Sequence, residues 1–387
     1  LRIIECNNAV ERQDWVRPFL VTHEIFRRPA FGRHHPLATG RQAAVQDLIE
    51  VLGWRDPALT RVPELPGRAV LERFHEPEYL SALEQADAAG RATAEMRERY
   101  NLGTMECPVF PGLWDRARAT VGGSMLAAEL VLGGGVAFHP TGGTHHGMPG
   151  RASGFCYLND PVFAVLRLLD GGLTRVLHVD LDAHHGDGVE AAFADDPRVY
   201  MASIHEDGRW PGTGRPEDTL GGRALNVPVP RGIHDSEYAL VLERLVYPFV
   251  RRAEPEAIVV LLGADGLAGD PLSGMQLTNN VLWRACRTLV AMAPRAVILG
   301  GGGYNPWTTA RLWAGMWGLL AGQDISGELP PAAQTVLAGL DCDLVDDEDR
   351  DPAWLTTLAD ASNAGPVRPE VEALITGHPM MRAPSIA

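Results

Sequence analysis

The sequence predicts one α/β domain, residues 1–387, in which a central, mostly parallel sheet is covered by helices on both faces. Short apolar segments without breakers, typical of strands buried on both faces, alternate with longer amphipathic segments typical of helices. Polar, glycine-rich motifs follow several of the apolar segments, as ligand-binding loops do at the carboxyl ends of strands in open α/β sheets. The hydrophobic fraction of 45% is sufficient for one large core.

This alternation gives an order of elements along the chain. Strands are predicted over residues 136–138, 176–181, 199–205, 257–262 and 296–299, with a further short strand at the very start of the chain. Helices are predicted over residues 41–54, 114–132, 161–169, 235–252, 281–293 and 308–320, and one more begins near His75. Residues 100–111 read as a loop because they contain glycine and proline. Beyond about Gly322 the periodicity weakens, which indicates a solvated charge run and then a loosely ordered tail.

Composition and charge argue against several classes of protein. With 49 acidic and 34 basic residues and a formal charge of -15, binding of nucleic acid through a positive field is not expected, and a cationic substrate is mildly favoured. No apolar run approaches the roughly 18 residues of a membrane span, and the first residues show no signal peptide. The cysteines are scattered without a C-x-x-C pair, which indicates a reduced protein of the cytoplasm. They are Cys6, Cys107, Cys156, Cys286 and Cys342.

Residues 176–189, V-L-H-V-D-L-D-A-H-H-G-D-G-V, contain the strongest candidates for a metal site. Asp180, Asp182 and His184 fall at every second position and therefore project to the same side of an extended chain. Asp182 and His184 are suited to bind one divalent metal, and Asp265, just after the strand at 257–262, is the natural third ligand. This donor set fits Zn²⁺, Fe²⁺ or Co²⁺, with one position left for water. The alternative is a solvated acidic turn after a core strand.

His145 and His146 lie in a glycine-bearing loop after the strand at 136–138 and are candidates for proton transfer beside the metal. Asp180 and Asp187 are placed to hydrogen-bond these imidazoles, which would fix their tautomers and raise their basicity. The alternative is that both histidines are structural loop residues.

Tyr304 follows a run of four glycines and is a candidate donor to the oxyanion of a tetrahedral intermediate, although glycine runs also form plain turns. Glu106, in the loop at 100–111, is either a substrate-facing carboxylate or a surface acid. The adjacent His34 and His35 are interpreted as loop residues rather than metal ligands.

Six motifs in order carry a resemblance to a known family. They are H-P-x-G-G-x-H-H-G, G-F-C-Y-L-N-D, V-D-L-D-A-H-H-G-D-G-V, P-G-T-G, G-A-D-G-L-A-G-D-P and G-G-G-G-Y-N-P. Together they resemble the zinc-dependent histone deacetylase family, and the bacterial acetoin-utilisation-type deacetylases are the most similar group. The resemblance covers about residues 15–325, which leaves 326–387 as a C-terminal extension of the same domain.

The resemblance implies the arginase–deacetylase fold, zinc held by Asp182, His184 and Asp265, and His145, His146, Asp180, Asp187 and Tyr304 as the catalytic set. It places Phe155 and Trp210 on the walls of a narrow tunnel for an acetyl-lysine stem, with Leu272 at its rim. Gly154 and Glu106 are further candidates for substrate binding. It also implies K⁺ bound by backbone or carboxylate oxygens of Asp180, Asp182, His184, Ser203 and Ile204. Arg41 matches an arginine of an internal cavity through which acetate leaves.

Three positions depart from the family pattern. Thr144 stands where the eukaryotic enzymes usually carry Trp or Leu, so a differently shaped cavity beneath the metal is expected. Trp210 stands where phenylalanine is common, which narrows the tunnel. The loop around Glu106 does not align cleanly with the family's substrate-gripping aspartate.

The predicted function is therefore a metal-dependent amidohydrolase that removes an acetyl or related acyl group from an amine. The substrate class stays open between acetylated lysine in proteins and acetylated small amines such as acetylpolyamines, and a homo-oligomer is compatible with the sequence. An arginase-like ureohydrolase would need a binuclear manganese site with more bridging carboxylates than the motifs supply. A silent module that binds acyl-lysine without hydrolysing it is the alternative outside enzymes.

Overall fold

The protein is described by a computed structural model that covers residues 18–32 and 34–381. Within these residues eight strands form one sheet in the order β2-β1-β3-β8-β7-β4-β5-β6, and every pairing is parallel. The strands are β1 (Phe19–Val21), β2 (Thr60–Arg61), β3 (Gly135–His139), β4 (Val176–Asp180), β5 (Val199–Glu206), β6 (Ala224–Val229), β7 (Ala257–Leu261) and β8 (Arg295–Leu299). The strand predicted at the very start of the chain lies outside the described residues.

The predicted helices are confirmed, with ends shifted by a few residues. In chain order the helices are α1 (Arg41–Val51), α2 (Arg68–Leu71), α3 (Pro77–Ala89), α4 (Ala94–Tyr100), α5 (Leu113–Leu130), α6 (Asp160–Asp170), α7 (Asp187–Phe193), α8 (Asp235–Val241), α9 (Tyr247–Ala253), α10 (Asn279–Val290), α11 (Pro306–Leu320), α12 (Pro331–Ala338), α13 (Ala353–Thr356) and α14 (Pro369–Gly377). The helix predicted over residues 235–252 is α8 and α9 joined by one π-helical turn, Leu242–Val246.

Alternate residues of the strands enter two separate hydrophobic cores, so helices cover both faces of the sheet, as predicted. On β7, Ile258 and Val260 join the core beneath α1, α10 and α11, whereas Ala257 and Val259 join the core beneath α5 and α6. All of these side chains are fully buried. Burial on both faces explains why this strand is a continuous apolar run in the sequence.

Three strands were missed because none of them presents an apolar run long enough to be read as a strand. β1 and β2 are only three and two residues long, which is too short for any periodicity to appear. β6 reads A-L-N-V-P-V and contains a polar Asn226 and the strand breaker Pro228. Because β6 is an edge strand, Pro228 interrupts no ladder on its outer side.

The C-terminal segment is more ordered than its sequence suggests. The expectation of a loosely ordered tail in the last residues is wrong for α14, which buries Val371 and Ile375 in the same core as α1 and α11. The weak pattern beyond Gly322 also concealed α12, which buries Leu337 in that core. Helices of eight and nine residues present too few apolar positions for a clear period. The acidic run at 341–351 is largely exposed, as expected.

Two predictions from composition can be compared with the described residues. Cys107, Cys156, Cys286 and Cys342 are free thiols there, in agreement with the absence of a disulfide framework. Among the described helices, none is both long and apolar enough to cross a membrane.

A bidentate ion pair fastens α14 to α8. The Nε and Nη2 atoms of Arg368 each donate to a carboxylate oxygen of Glu237 at 2.7 Å, and the Arg368 backbone N–H donates to the same carboxylate at 2.9 Å. Burial by itself would raise the pKa of Glu237, but the hydrogen bonds from Arg368 outweigh it and lower the pKa. The ionised carboxylate therefore contributes to the stability of the folded chain.

We expect Arg368→Ala to reduce the free energy of unfolding by about 2 kcal/mol, because a buried carboxylate loses its partner while Arg368 itself is partly solvated. Since the folded pKa of Glu237 is lowered, this contribution is present above the ordinary glutamate pKa of about 4.3 and is lost as the pH falls below it. Urea unfolding at several pH values measures both effects.

Arg175→Ala is the matched control, because Arg175 pairs with Glu254 at 3.6 Å while both side chains are exposed. That variant is expected to change the unfolding free energy by less than about 1 kcal/mol. Equal stability of the Arg368 and Arg175 variants at neutral pH would show that the pair between α8 and α14 is not stabilising.

Candidate active site

Four loops meet at the carboxyl edge of the sheet, as predicted from the motifs that follow the strands. They leave β3, β8, β7 and β4, which are consecutive neighbours in the middle of the sheet. A cavity of about 620 Å³ opens at this edge. The position matches the general rule that ligands of open parallel sheets bind outside the carboxyl ends of the strands.

His184 lines this cavity, and Asp182 and Asp265 converge on it. Their potential ligand atoms all lie within 4.8 Å of one another, and they form the one such group found among the described residues. The Nδ1 atom of His184 lies 2.9 Å from Asp265 Oδ2 and 3.2 Å from Asp182 Oδ1. All three side chains are buried.

The electrostatics of this group fit a cation. Burial and the neighbouring charge of Asp182 raise the pKa of Asp265. Burial would lower the pKa of His184, but its hydrogen bonds to the two carboxylates outweigh this and raise the pKa to about 10. Two buried carboxylates around one imidazole thus require a positive charge between them, and oxygen and nitrogen donors of this kind are typical ligands of zinc and similar divalent metals.

The glycine run after β8 is shaped by these carboxylates. The Gly302 N–H donates to Asp182 Oδ2 at 2.7 Å, and the Ala183 N–H donates to Asp265 Oδ1 at 2.9 Å. A Cβ atom on Gly302 would lie 2.2 Å from Asp265 Oδ2, so only glycine permits this approach. The run is therefore more than a plain turn.

His145 and His146 lie side by side, with ring centroids 3.9 Å apart. The Nδ1 atom of His145 is 2.7 Å from Asp180 Oδ2, and the Nδ1 atom of His146 is 2.8 Å from Asp187 Oδ1. Burial opposes a charge on His145, but the charge of Asp180 outweighs it and raises the pKa to about 9. Burial, followed by the charge of His145, lowers the pKa of His146 to about 4.

Asn159 and Asp160, which sequence reasoning did not single out, hold the loop that carries the two histidines. Asn159 Nδ2 donates to the carbonyl oxygens of His145 and Gly147 at 3.0 and 2.9 Å. Asp160 accepts from the Thr144 N–H at 2.7 Å, and the Thr144 hydroxyl also contacts its carboxylate. The signal was the polar N-D pair that ends the otherwise apolar G-F-C-Y-L-N-D motif.

Tyr304 lies beside the carboxylate and imidazole group. Its ring is edge-on to His184 with centroids 6.4 Å apart, and its side chain is buried. Burial, followed by the charges of Asp265 and Asp182, raises the pKa of Tyr304 well above its usual value, so the hydroxyl stays protonated. A neutral hydroxyl is the form that can donate to a carbonyl oxygen.

Two buried side chains fix the backbone that presents Tyr304. Asp270, which was missed, accepts from the Tyr304 N–H at 2.7 Å. Its signal was a second acid in the motif that supplies Asp265. Arg41, at the start of α1, donates through Nη1 to the carbonyl oxygens of Gly301 and Gly303 at 3.0 and 2.8 Å.

The cavity wall contains all five residues that the sequence offers as substrate-binding candidates. Gly154, Phe155, Trp210, Leu272 and Glu106 line it together with His146, His184 and Tyr304. The Trp210 ring lies 4.6 Å from that of His146 and is 46% exposed at the mouth. A Cβ atom on Gly154 would lie within 2.6 Å of both rings, so the wall needs glycine there.

Glu106 is built into this wall. Its carboxylate accepts from the Gly154 N–H at 2.5 Å and from Asn101 Nδ2 at 3.0 Å. The interpretation of Glu106 as one more surface acid is therefore wrong. His35 contacts the Glu106 carbonyl oxygen at 3.1 Å, while the exposed His34 pairs with Asp343 at 2.9 Å.

The residues expected around K⁺ lie on adjacent segments. Asp180, at the end of β4, pairs in register with Ser203 on β5, and Ile204 is the next residue of β5. Asp180 Oδ1 also accepts from the Asp182 N–H at 3.0 Å. The five residues of that prediction therefore lie at or near the carboxyl ends of β4 and β5.

Comparison with known proteins gives the family. A family model described as the histone deacetylase domain matches residues 35–320. Histone deacetylase 8 of Xenopus tropicalis is 36% identical over 298 residues, covering 75% of this chain and 80% of that protein. The acetoin utilization protein AcuC of Bacillus subtilis is 35% identical over 316 residues, covering 78% of this chain and 81% of that protein.

Solved structures agree with this result. The crystal structure of an HDAC homolog from Aquifex aeolicus has a TM-score of 0.89 and 31% identity, covering 94% of this chain and 99% of that one. An HDAC homolog complexed with SAHA gives a TM-score of 0.88. The fold is thus the arginase–deacetylase α/β fold, and the chain belongs to the histone deacetylase family, which includes the acetoin-utilisation type.

Proposed function

We propose that this chain is a zinc-dependent deacetylase that hydrolyses the amide bond of acetylated, or similarly acylated, lysine side chains. The observation that carries the proposal is the buried group of Asp182, His184 and Asp265 beneath a narrow cavity, beside two carboxylate-bound histidines. A module that only binds acyl-lysine would not need these ionisable pairs.

Asp182, His184 and Asp265 would hold Zn²⁺, and Fe²⁺ or Co²⁺ suit the same donors. When bound, the metal lowers the pKa of water and polarises the amide carbonyl. A structural K⁺ is proposed near Asp180 and Ser203. Among the described residues there is one three-ligand group, which does not favour the binuclear site of a ureohydrolase.

His145 and His146 are proposed to move the protons. Because Asp180 and Asp187 hold the Nδ1 atoms, each Nε2 atom is left for the attacking water or the departing amine. We assign these two duties to the pair as a whole. Tyr304 would donate its hydroxyl to the amide carbonyl oxygen as negative charge develops there.

The cavity is proposed to take the lysine stem between Phe155 and Trp210, with Leu272 at the rim. Acetylpolyamines carry positive charge, so free carboxylates at the mouth of the cavity would favour their binding. Two of the three acids there, Glu106 and Glu206, already accept hydrogen bonds from protein donors.

The free thiols suit the reducing cytoplasm, where we place the protein.

We expect Tyr304→Phe to lower kcat on an acetyl-lysine peptide by ~10² or more, because a transition-state donor is lost. Steady-state kinetics and metal analysis of the same preparation measure this, and the metal content should not change. Asp265→Ala is the matched control, which should lose both metal and activity. Unaltered turnover by the Tyr304 variant would remove that residue from the mechanism.

We expect kcat/KM for neutral acetyl-lysine peptides to exceed that for acetylpolyamines by about tenfold or more, because the mouth offers few uncommitted carboxylates. A side-by-side substrate screen measures the ratio. Asp207→Asn removes an exposed carboxylate at the mouth and should weaken acetylpolyamine turnover while leaving peptides unchanged. A preference for acetylpolyamines would contradict the proposed substrate class.

A further inference from the structure

Arg223, the residue just before β6, directs its guanidinium at four backbone carbonyls. Its Nη1 atom donates to the carbonyl oxygens of Asp196, Val199 and Phe193 at 2.9, 3.2 and 3.4 Å. Its Nη2 atom donates to the carbonyl oxygen of Ala194 at 2.6 Å. These acceptors lie at the end of α7 and along the turn that leads into β5.

This arrangement satisfies a general need of helix ends. The last carbonyls of an α-helix have no partner within the helix and carry the negative end of its dipole. A guanidinium offers five donors in a fixed plane and no acceptor, so it suits several converging carbonyls. Arg223 thus supplies both hydrogen-bond donors and a positive charge to a cage of carbonyl oxygens, hereafter the carbonyl cage.

The other end of α7 reaches the candidate active site. Its first residue, Asp187, holds the Nδ1 atom of His146 at 2.8 Å. Midway along the helix, Glu190 accepts from Asn226 Nδ2 of β6 at 2.7 Å. The helix has seven residues, which is about two turns, so Asp187 and the carbonyl cage lie at the two ends of one short element.

We propose that the partly buried Arg223 is a fixed cation in the carbonyl cage and that it positions Asp187 through α7. Loss of its guanidinium then opens a site for a small free cation. Carbonyl oxygens that replace a hydration shell are suited to weakly hydrated cations such as K⁺. The free guanidinium ion has the same positive charge and planar N–H donors as the side-chain group that the variant lacks. The positioning step rests on the function proposed above for His146.

The test uses Arg223→Ala in the full-length chain, with Tm and kcat measured in choline chloride, potassium chloride or low-millimolar guanidinium chloride at equal ionic strength. In choline we expect Tm to fall by about 5 °C, because the carbonyl cage loses the hydrogen bonds from Arg223, while the Phe193 and Asp196 carbonyls keep only their backbone donors. We expect kcat to fall by about threefold with KM unchanged, because Asp187 is displaced and not removed. Potassium or guanidinium should restore both quantities in this variant beyond any effect on the wild type.

Two further variants make the result specific. Arg223→Met fills the space without charge and should not be restored by either cation. Arg175→Ala removes an exposed arginine that pairs with Glu254 at 3.6 Å and not with a residue of the carbonyl cage, and it should behave as wild type in every salt. If Arg223→Ala does not fold, Arg223→Lys replaces it, because lysine keeps the positive charge but not the planar set of donors. Its loss of Tm should be smaller and should not depend on potassium.

The two readouts separate the parts of the proposal. Tm does not depend on catalysis. An equal Tm of Arg223→Ala in choline, potassium and guanidinium, or no loss of Tm in any Arg223 variant, would overturn the carbonyl cage. Cation-dependent recovery of Tm without a change in kcat would overturn the link to Asp187. Absence of deacetylase activity in the wild type would instead contradict the proposed function and leave the Tm result to decide on the cage.

Discussion

The structure depends on two carboxylates, Asp182 and Asp265, that are buried against one imidazole, His184, at the centre of the sheet edge. Buried carboxylates are unfavourable unless a positive charge lies between them. The three residues come from loops after two neighbouring strands, β4 and β7, so the parallel order of the sheet sets their separation. A divalent cation bound at this point would neutralise the group, as we propose.

Around this group, the polar contacts fix the orientation of the carboxylates and the imidazoles. Backbone N–H groups of Gly302 and Ala183 orient the outer oxygens of the carboxylates, and glycine is the only residue that fits so close to them. Carboxylates likewise fix one nitrogen of each paired histidine. Groups held in this way lose little freedom when a substrate binds, which favours the precise geometry that amide hydrolysis requires.

The sequence indicated the central sheet and the converging site well, because buried parallel strands are apolar runs and their loops carry polar motifs. It did not indicate β6, where Asn226 and Pro228 interrupt the pattern at an edge, or the short C-terminal helices. Supporting residues such as Asp160 and Asp270 were also missed, because their partners are backbone groups far along the chain. Such contacts exist only in the folded molecule and leave no periodic signal.

We propose above all that one divalent ion is bound by Asp182, His184 and Asp265. Crystals of the chain purified with zinc, measured on both sides of the zinc absorption edge, test it most directly. The account predicts one anomalous peak at roughly 2 Å from a ligand atom of each of the three residues. Two bridged peaks, or a peak elsewhere with none at this group, would contradict it.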